Sequence, residues 1–128
     1  MKYYIEKTLD VPFEEAIDRT TEALKTEGFG VLSTIPIDEK LKEKLGVDFR
    51  KYTILGACNP PLAYKALQHE NKIGTLLPCN VIVQETDDGK TEVAAVNPVV
   101  SMQGVQNESL GSLANEVKSK LTRVIESL

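Results

Sequence analysis

The chain has 128 residues, 41% hydrophobic and 27% charged, with a formal net charge of −4. A chain of this length buries about two-thirds of its unfolded surface in one domain without disulfide or metal support. The acidic balance excludes a sequence-independent grip on nucleic acid, which takes clustered Lys and Arg, and it disfavours an anionic membrane surface.

The segment MKYYIEKTLD lacks the apolar core of a signal peptide, and no apolar run approaches a membrane span. A cytoplasmic location is therefore expected, where two cysteines stay free thiols rather than a structural disulfide. Residues 2–9 alternate, with Tyr3, Ile5 and Leu9 on one side and Tyr4, Glu6 and Thr8 on the other, which predicts a strand with one better-buried face. Asp10 and Pro12 start a helix, Glu14 and Glu15 suit its dipole, and Phe13, Ala16, Ile17, Thr20 and Leu24 form one stripe ending at Gly28.

Residues 29–37 (FGVLSTIPI) read as a second strand, with Pro36 favouring an edge or strand end. DEKLKEKLG then predicts a short surface helix capped by Asp38, stopped by Gly46 and held down by Leu41 and Leu45; its charge run reads as a solvated face. Tyr52 to Cys58 is a third strand, apolar or small on both faces. Asn59 before Pro60 is a helix start, an Asn cap with Pro at the first helical position, and the helix should run to about His69.

Leu76 to Glu85 predicts a fourth strand, Asp87-Asp88-Gly89 a hairpin turn, and Thr91 to Asn97 the returning strand. A polar loop, VVSMQGVQN, leads to a last helix on which Leu110, Leu113, Val117, Leu121, Val124 and Leu128 recur at steps of three and four, with Asn107 or Ser109 as cap. This order predicts an α+β fold: a mostly antiparallel sheet packed on two long helices, with extra short helices. The doubly apolar third and fourth strands need cover on the far face too, from the 59–69 helix and from a second copy of the chain, so a homodimer is expected.

The chemistry concentrates between Tyr52 and Glu85, which holds both cysteines, the one histidine and two Cys-Asn pairs. Cys58 precedes a helix N-terminus, where free backbone N–H groups and the dipole favour thiolate; the alternative is a small buried residue closing a strand. Cys79 follows Pro78, which donates no ladder hydrogen bond and marks a strand start or bulge that re-aims a side chain. Asn59 is explained by capping, whereas Asn80, in an apolar strand, needs a buried partner or a pocket to face. Cys58, Asn59, Pro60, Pro78, Cys79 and Asn80 are thus the candidate ligand-binding or redox residues, with no Cys-x-x-Cys among them.

His69 is a weak metal candidate. With the two cysteines it makes three soft ligands where structural zinc takes four at tight spacings. It also lies about 15 Å along the helix from Cys58, too far to serve as its base within one chain. Three functions follow: a small-ligand or partner-binding module around the two Cys-Asn segments, a thiol-redox or sulfur-handling protein using Cys58 and Cys79, or haem or metal binding through His69 or Met102. Neither an enzymatic activity nor a cofactor can be assigned from the residues.

The segments Gly56-Ala57-Cys58-Asn59-Pro60, Ala66-Leu67, and Ile73-Gly74 leading into Leu77-Pro78-Cys79-Asn80-Val81 make the chain resemble a small bacterial and archaeal family called domain of unknown function three-zero-two. The resemblance covers essentially the whole length. It implies a TATA-binding-protein-like β-α-β4-α topology, carries no DNA-binding implication, and points to haem or sulfur-redox association as leads.

Overall fold

A computed structural model describes all residues, Met1–Leu128. Its elements in order are β1 (Tyr4–Leu9), α1 (Phe13–Thr26), β2 (Gly30–Pro36), α2 (Ile37–Leu45), β3 (Tyr52–Cys58), α3 (Pro60–His69), a 3₁₀ turn (Ile73–Leu76), β4 (Cys79–Glu85), β5 (Thr91–Val96), α4 (Pro98–Ser101) and α5 (Leu110–Glu126). The five strands form one antiparallel sheet in the order β1-β5-β4-β3-β2. The fold is therefore α+β, as the order of predicted elements requires.

Strand alternation sorts the sheet into two faces. The inner face carries Leu55, Ala57, Val81, Val83, Val93 and Ala95, all essentially inaccessible. Against it lie Phe13, Ala16 and Leu24 of α1 and Leu121, Val124 and Ile125 of α5, in one core cluster. Thr20 of the α1 stripe is tolerated at full burial because its hydroxyl donates to the Ala16 carbonyl at 2.7 Å. Gly28, at φ 84°, makes the left-handed exit from α1, and the Phe29 amide donates back to the Leu24 carbonyl at 3.0 Å.

The outer face is not covered by any helix. Register aligns Glu6, Ala94, Ile82, Ile54 and Ile35 in one row across all five strands. The expectation that the 59–69 helix covers part of this face is corrected: α3 packs on α5 and the 3₁₀ turn instead. The face is left as an open cleft of about 510 Å³ whose lining includes Tyr4, Tyr52, Ile82, Gln84, Glu92 and Val96.

Several boundaries differ from the sequence-based expectations. Asp38 does not cap α2, which starts at Ile37 directly after β2; the Asp38 carboxylate instead accepts from the Tyr52 amide at 3.1 Å, tying the helix to β3. Leu45 is 69% exposed and holds nothing down, whereas Leu41 is half-buried. Tyr3 lies outside β1 and is exposed. The strand expected from Leu76 begins only at Cys79, because Ile73–Leu76 forms a 3₁₀ turn ahead of it.

The loop expected after Pro98 contains α4, capped by Asn97, whose side chain accepts from the Val99 amide at 3.1 Å. Asn107 rather than Ser109 supplies the side-chain oxygen before α5, accepting from the Ser109 amide at 3.1 Å.

Candidate functional site

The end of β3, the start of β4, α3, α5 and the residue after α4 meet at one end of the inner face. They border a partly open cavity of about 40 Å³, with 13 of its 15 lining residues hydrophobic. Cys58, Asn59, Pro78 and Cys79 line it together with Phe29, Ala57, Leu62, Ala63, Ala66, Leu77, Met102, Leu110, Leu113, Ala114 and Val117.

Four of the six candidate residues thus share one cavity, and two do not. Pro60 is exposed on the first turn of α3. Asn80 follows Cys79 by one residue and therefore points to the opposite sheet face, where it is exposed and lines the open cleft. The expectation of a buried Asn80 amide is corrected by that one-residue step.

Both cysteines are free, Cys79 buried and Cys58 half-buried. Register pairs Cys79 with Ala57, so Cys58 stands one residue along β3 and, by strand alternation, its side chain leaves the sheet on the opposite face from Cys79. Burial pushes the Cys79 thiol up to about 11, and the nearby Cys58 adds to the effect. Cys79 is therefore a protonated, weakly nucleophilic thiol at neutral pH.

The α3 N-terminus does not offer the free donors expected beside Cys58. Pro60 and Pro61 have no N–H, the Leu62 amide donates to Asn59 Oδ1 at 3.4 Å, and the Ala63 amide donates to the Asn59 carbonyl at 2.9 Å. Every backbone donor of the first turn is missing or used. Asn59 spends its other polar atom as well, because Nδ2 donates to the Glu27 carbonyl at 3.1 Å and so anchors the end of α1 to the start of α3.

Gly56 positions Pro78. A Cβ at Gly56 would lie 2.9 Å from Pro78 Cγ and 2.3 Å from Ser33 Oγ, so the bare backbone of β3 is what lets the proline ring settle against the outer face of the sheet there. A bulge between Val31 and Ser33 on β2 brings the serine to the same spot.

His69 is exposed at the end of α3, outside the cavity, and its backbone carbonyl accepts from Asn107 Nδ2 at 2.8 Å. No group of three or more His, Cys, Asp or Glu side chains is arranged to hold a metal ion. No helix is long and apolar enough to cross a membrane. Met102 is the sulfur-bearing cavity residue that spacing did not bring into the site; the Asn97-Pro98 helix start, the same pair as Asn59-Pro60, was the available signal that the chain turns back there.

A family model described as Domain of unknown function DUF302 matches residues 5–128. The crystal structure of an uncharacterized conserved DUF302 protein from Bacillus stearothermophilus is similar, with a TM-score of 0.92, 30% identity and 98% of each chain covered. An uncharacterized protein of Aquifex aeolicus is 27% identical over 94 residues, which are 73% of this chain, and the chain spans 59% of that relative's length.

Proposed function

The chain belongs to the DUF302 family, and from the geometry of its cavity we propose that it is a small-ligand-binding module, one domain working in the cytoplasm, whose ligand sits beside Cys58 and Cys79. The observation that carries this reading is the apolar cavity itself. Four separate elements, β3, α3, β4 and α5, contribute to it, and its asparagine's polar atoms are already paired within the chain. Ligand sites are concave, mostly apolar and largely pre-formed.

A volume of about 40 Å³ is well below the roughly 150 Å³ of an apolar cavity that takes up benzene. The guest is therefore very small, or it parts α3 from α5. Native mass spectrometry of protein taken directly from cells tests the reading. The expected result is a retained mass in the wild type that is lost in Ala114→Val, which fills the cavity with two methyl groups. A bare-chain mass for the wild type refutes it.

The other functions gain less support. A Cys58/Cys79 redox couple would draw on a buried thiol pushed up to about 11 and a helix start without free N–H groups. A haem would need a far larger space, and His69 faces solvent away from it.

A second reading, a homodimer through the outer sheet face, has its own observation. The Ala94–Ile82–Ile54–Ile35 row crosses a face that no element of the chain covers, and Ile35 is 39% exposed. Sedimentation velocity at micromolar concentration should show a dimer that Ile82→Arg converts to monomer. A monomeric wild type removes this reading.

A further inference from the structure

The outer face of the sheet carries more than its row of isoleucines. Three of the four tyrosines in the sequence, Tyr3, Tyr4 and Tyr52, line its open cleft together with Arg50. Tyrosine and arginine are the residue types enriched at the anchoring points of protein interfaces.

Arg50 differs from the other two arginines. Arg19 pairs with Glu15 at 3.1 Å and Arg123 with Glu27 at 2.9 Å, whereas Arg50 has no carboxylate partner within the chain. It is nonetheless held in place. Its Nε donates to Gln84 Oε1 at 2.8 Å, and its guanidinium carbon lies 4.4 Å from the centre of the Phe49 ring and 5.8 Å from that of Tyr52. Gln84 in turn donates through Nε2 to Glu92 Oε1 at 2.9 Å, and Glu92 has no cationic partner.

A polar line therefore crosses this face, positive beside β3, neutral at Gln84 on β4 and negative at Glu92 on β5. A partner surface of one sign meets like charge at one end of the line, which is costly. Only a surface with the opposite order matches both ends. A second copy supplies that order, because β4 is the middle strand of the five. A two-fold axis laid along β4 between two such faces sets β3 of each copy over β5 of the other. Arg50 then stands over Glu92 of the partner subunit, and Glu92 over Arg50 of the partner subunit. The neighbouring apolar row obeys the same operation, with Ile82 over its own counterpart and Ile54 over Ala94 of the partner subunit. Strand directions of the two sheets stay within about 30° of each other, as in aligned sheet packing.

We infer that the outer face joins two copies of the chain about a two-fold axis along β4, with Arg50 of each copy ion-paired to Glu92 of its partner. This rests on the homodimer reading proposed above and fixes its axis and its charge pairs.

The test is sedimentation velocity of the full chain at micromolar concentration, as wild type, Arg50→Glu, Glu92→Arg and the double variant. The wild type should be a dimer. Each single reversal sets like charges opposite each other at two places in the dimer, and should raise the dissociation constant at least about a hundredfold. The double variant restores opposite charges at both places, and Gln84 bridges them again by turning its amide over, so the dimer should return. That recovery is a gain which misfolding of a single variant does not imitate.

Single variants that stay dimeric, or a double variant that stays monomeric, overturn the inference. If Ile82→Arg still yields a monomer in that case, the outer-face homodimer stands without these charge pairs. A monomeric wild type overturns both, and a mass retained from cells that Arg50→Glu loses would then give the face to a small ligand.

Discussion

Gly56→Ala is the substitution by which the packing of Pro78 against β3 is most sharply tested. The added methyl would sit 2.3 Å from Ser33 Oγ and 2.9 Å from Pro78 Cγ, whereas carbon atoms pack best at about 3.5–4.0 Å. Ser33 is exposed, and its hydroxyl can rotate away. The Pro78 ring has no such freedom, so it or β3 must move. Forcing an extra carbon into a packed site costs about 1–3 kcal/mol.

Replacing glycine by alanine also restricts the unfolded chain, which returns about 0.4–1 kcal/mol. The net loss expected is about 1–2 kcal/mol. With a urea slope of about 1–3 kcal/mol/M for a small protein, the midpoint should fall by roughly 0.5–1 M at unchanged slope. Adding Ser33→Gly should recover only a minor part of the loss. A midpoint that stays put, or full recovery in the double variant, would show that Pro78 is not the obstacle and that the account of Gly56 is wrong.

Asn59→Ala removes the α3 cap and the tether to the Glu27 carbonyl together, and should cost about 1–2 kcal/mol in the same urea titration; Asn59→Asp keeps the cap alone and should fall between. Iodoacetamide at pH 8 should label Cys58 and spare Cys79, which is buried and pushed up to about 11; mass mapping of a short reaction reads this directly. Because that native value lies above the ordinary thiol value of 9.0, the Cys79 contribution is fully present below the unfolded value and is lost as pH rises toward the native one. Cys79→Ala should therefore flatten the alkaline limb of the stability curve, and a limb unchanged in shape would count against it.

Arg123 donates to one oxygen of Glu27 through Nε at 3.2 Å and Nη2 at 2.9 Å, which holds the carboxyl below its usual range. A depressed carboxyl stabilises above its unfolded value and stops doing so as pH falls through the native one. Thermal melts of Arg123→Gln should accordingly converge on the wild type in acid, and a constant gap across pH would refute the pairing.

What was legible in the sequence was local and periodic. The α5 stripe, the Asn59-Pro60 start of α3 and the turn at Asp87-Asp88-Gly89 each depend on residues within one or two turns of one another. Asn97-Pro98 repeated the Asn59-Pro60 signal and does the same thing, ending a strand and capping a helix, yet it stood inside a segment that read as loop.

The site was half visible, since two cysteines flanked by a helix start and a proline identified the strand ends that do line the cavity. The other half was settled at long range. Which β3 side chains Asn80 stood beside depended on the register of β4 against β3, Gly56 opposite Asn80 and Ala57 opposite Cys79, and no short window contains that information. The missing donors at α3 were, by contrast, written in plain view: a second proline, Pro61, removes the amide that a thiolate would have used.

The sheet order has a consequence for how the molecule is made. β1 hydrogen-bonds only to β5, Tyr4 opposite Val96, so the earliest strand synthesised must wait for the latest. A ribosome releasing this chain exposes an unpaired N-terminal edge until residue 96 has emerged, and such sequence-distant pairing is slow because loop closure must precede its reward. β2, β3 and β4 can zip together as they appear; the first strand joins last and completes the wall beneath the helices.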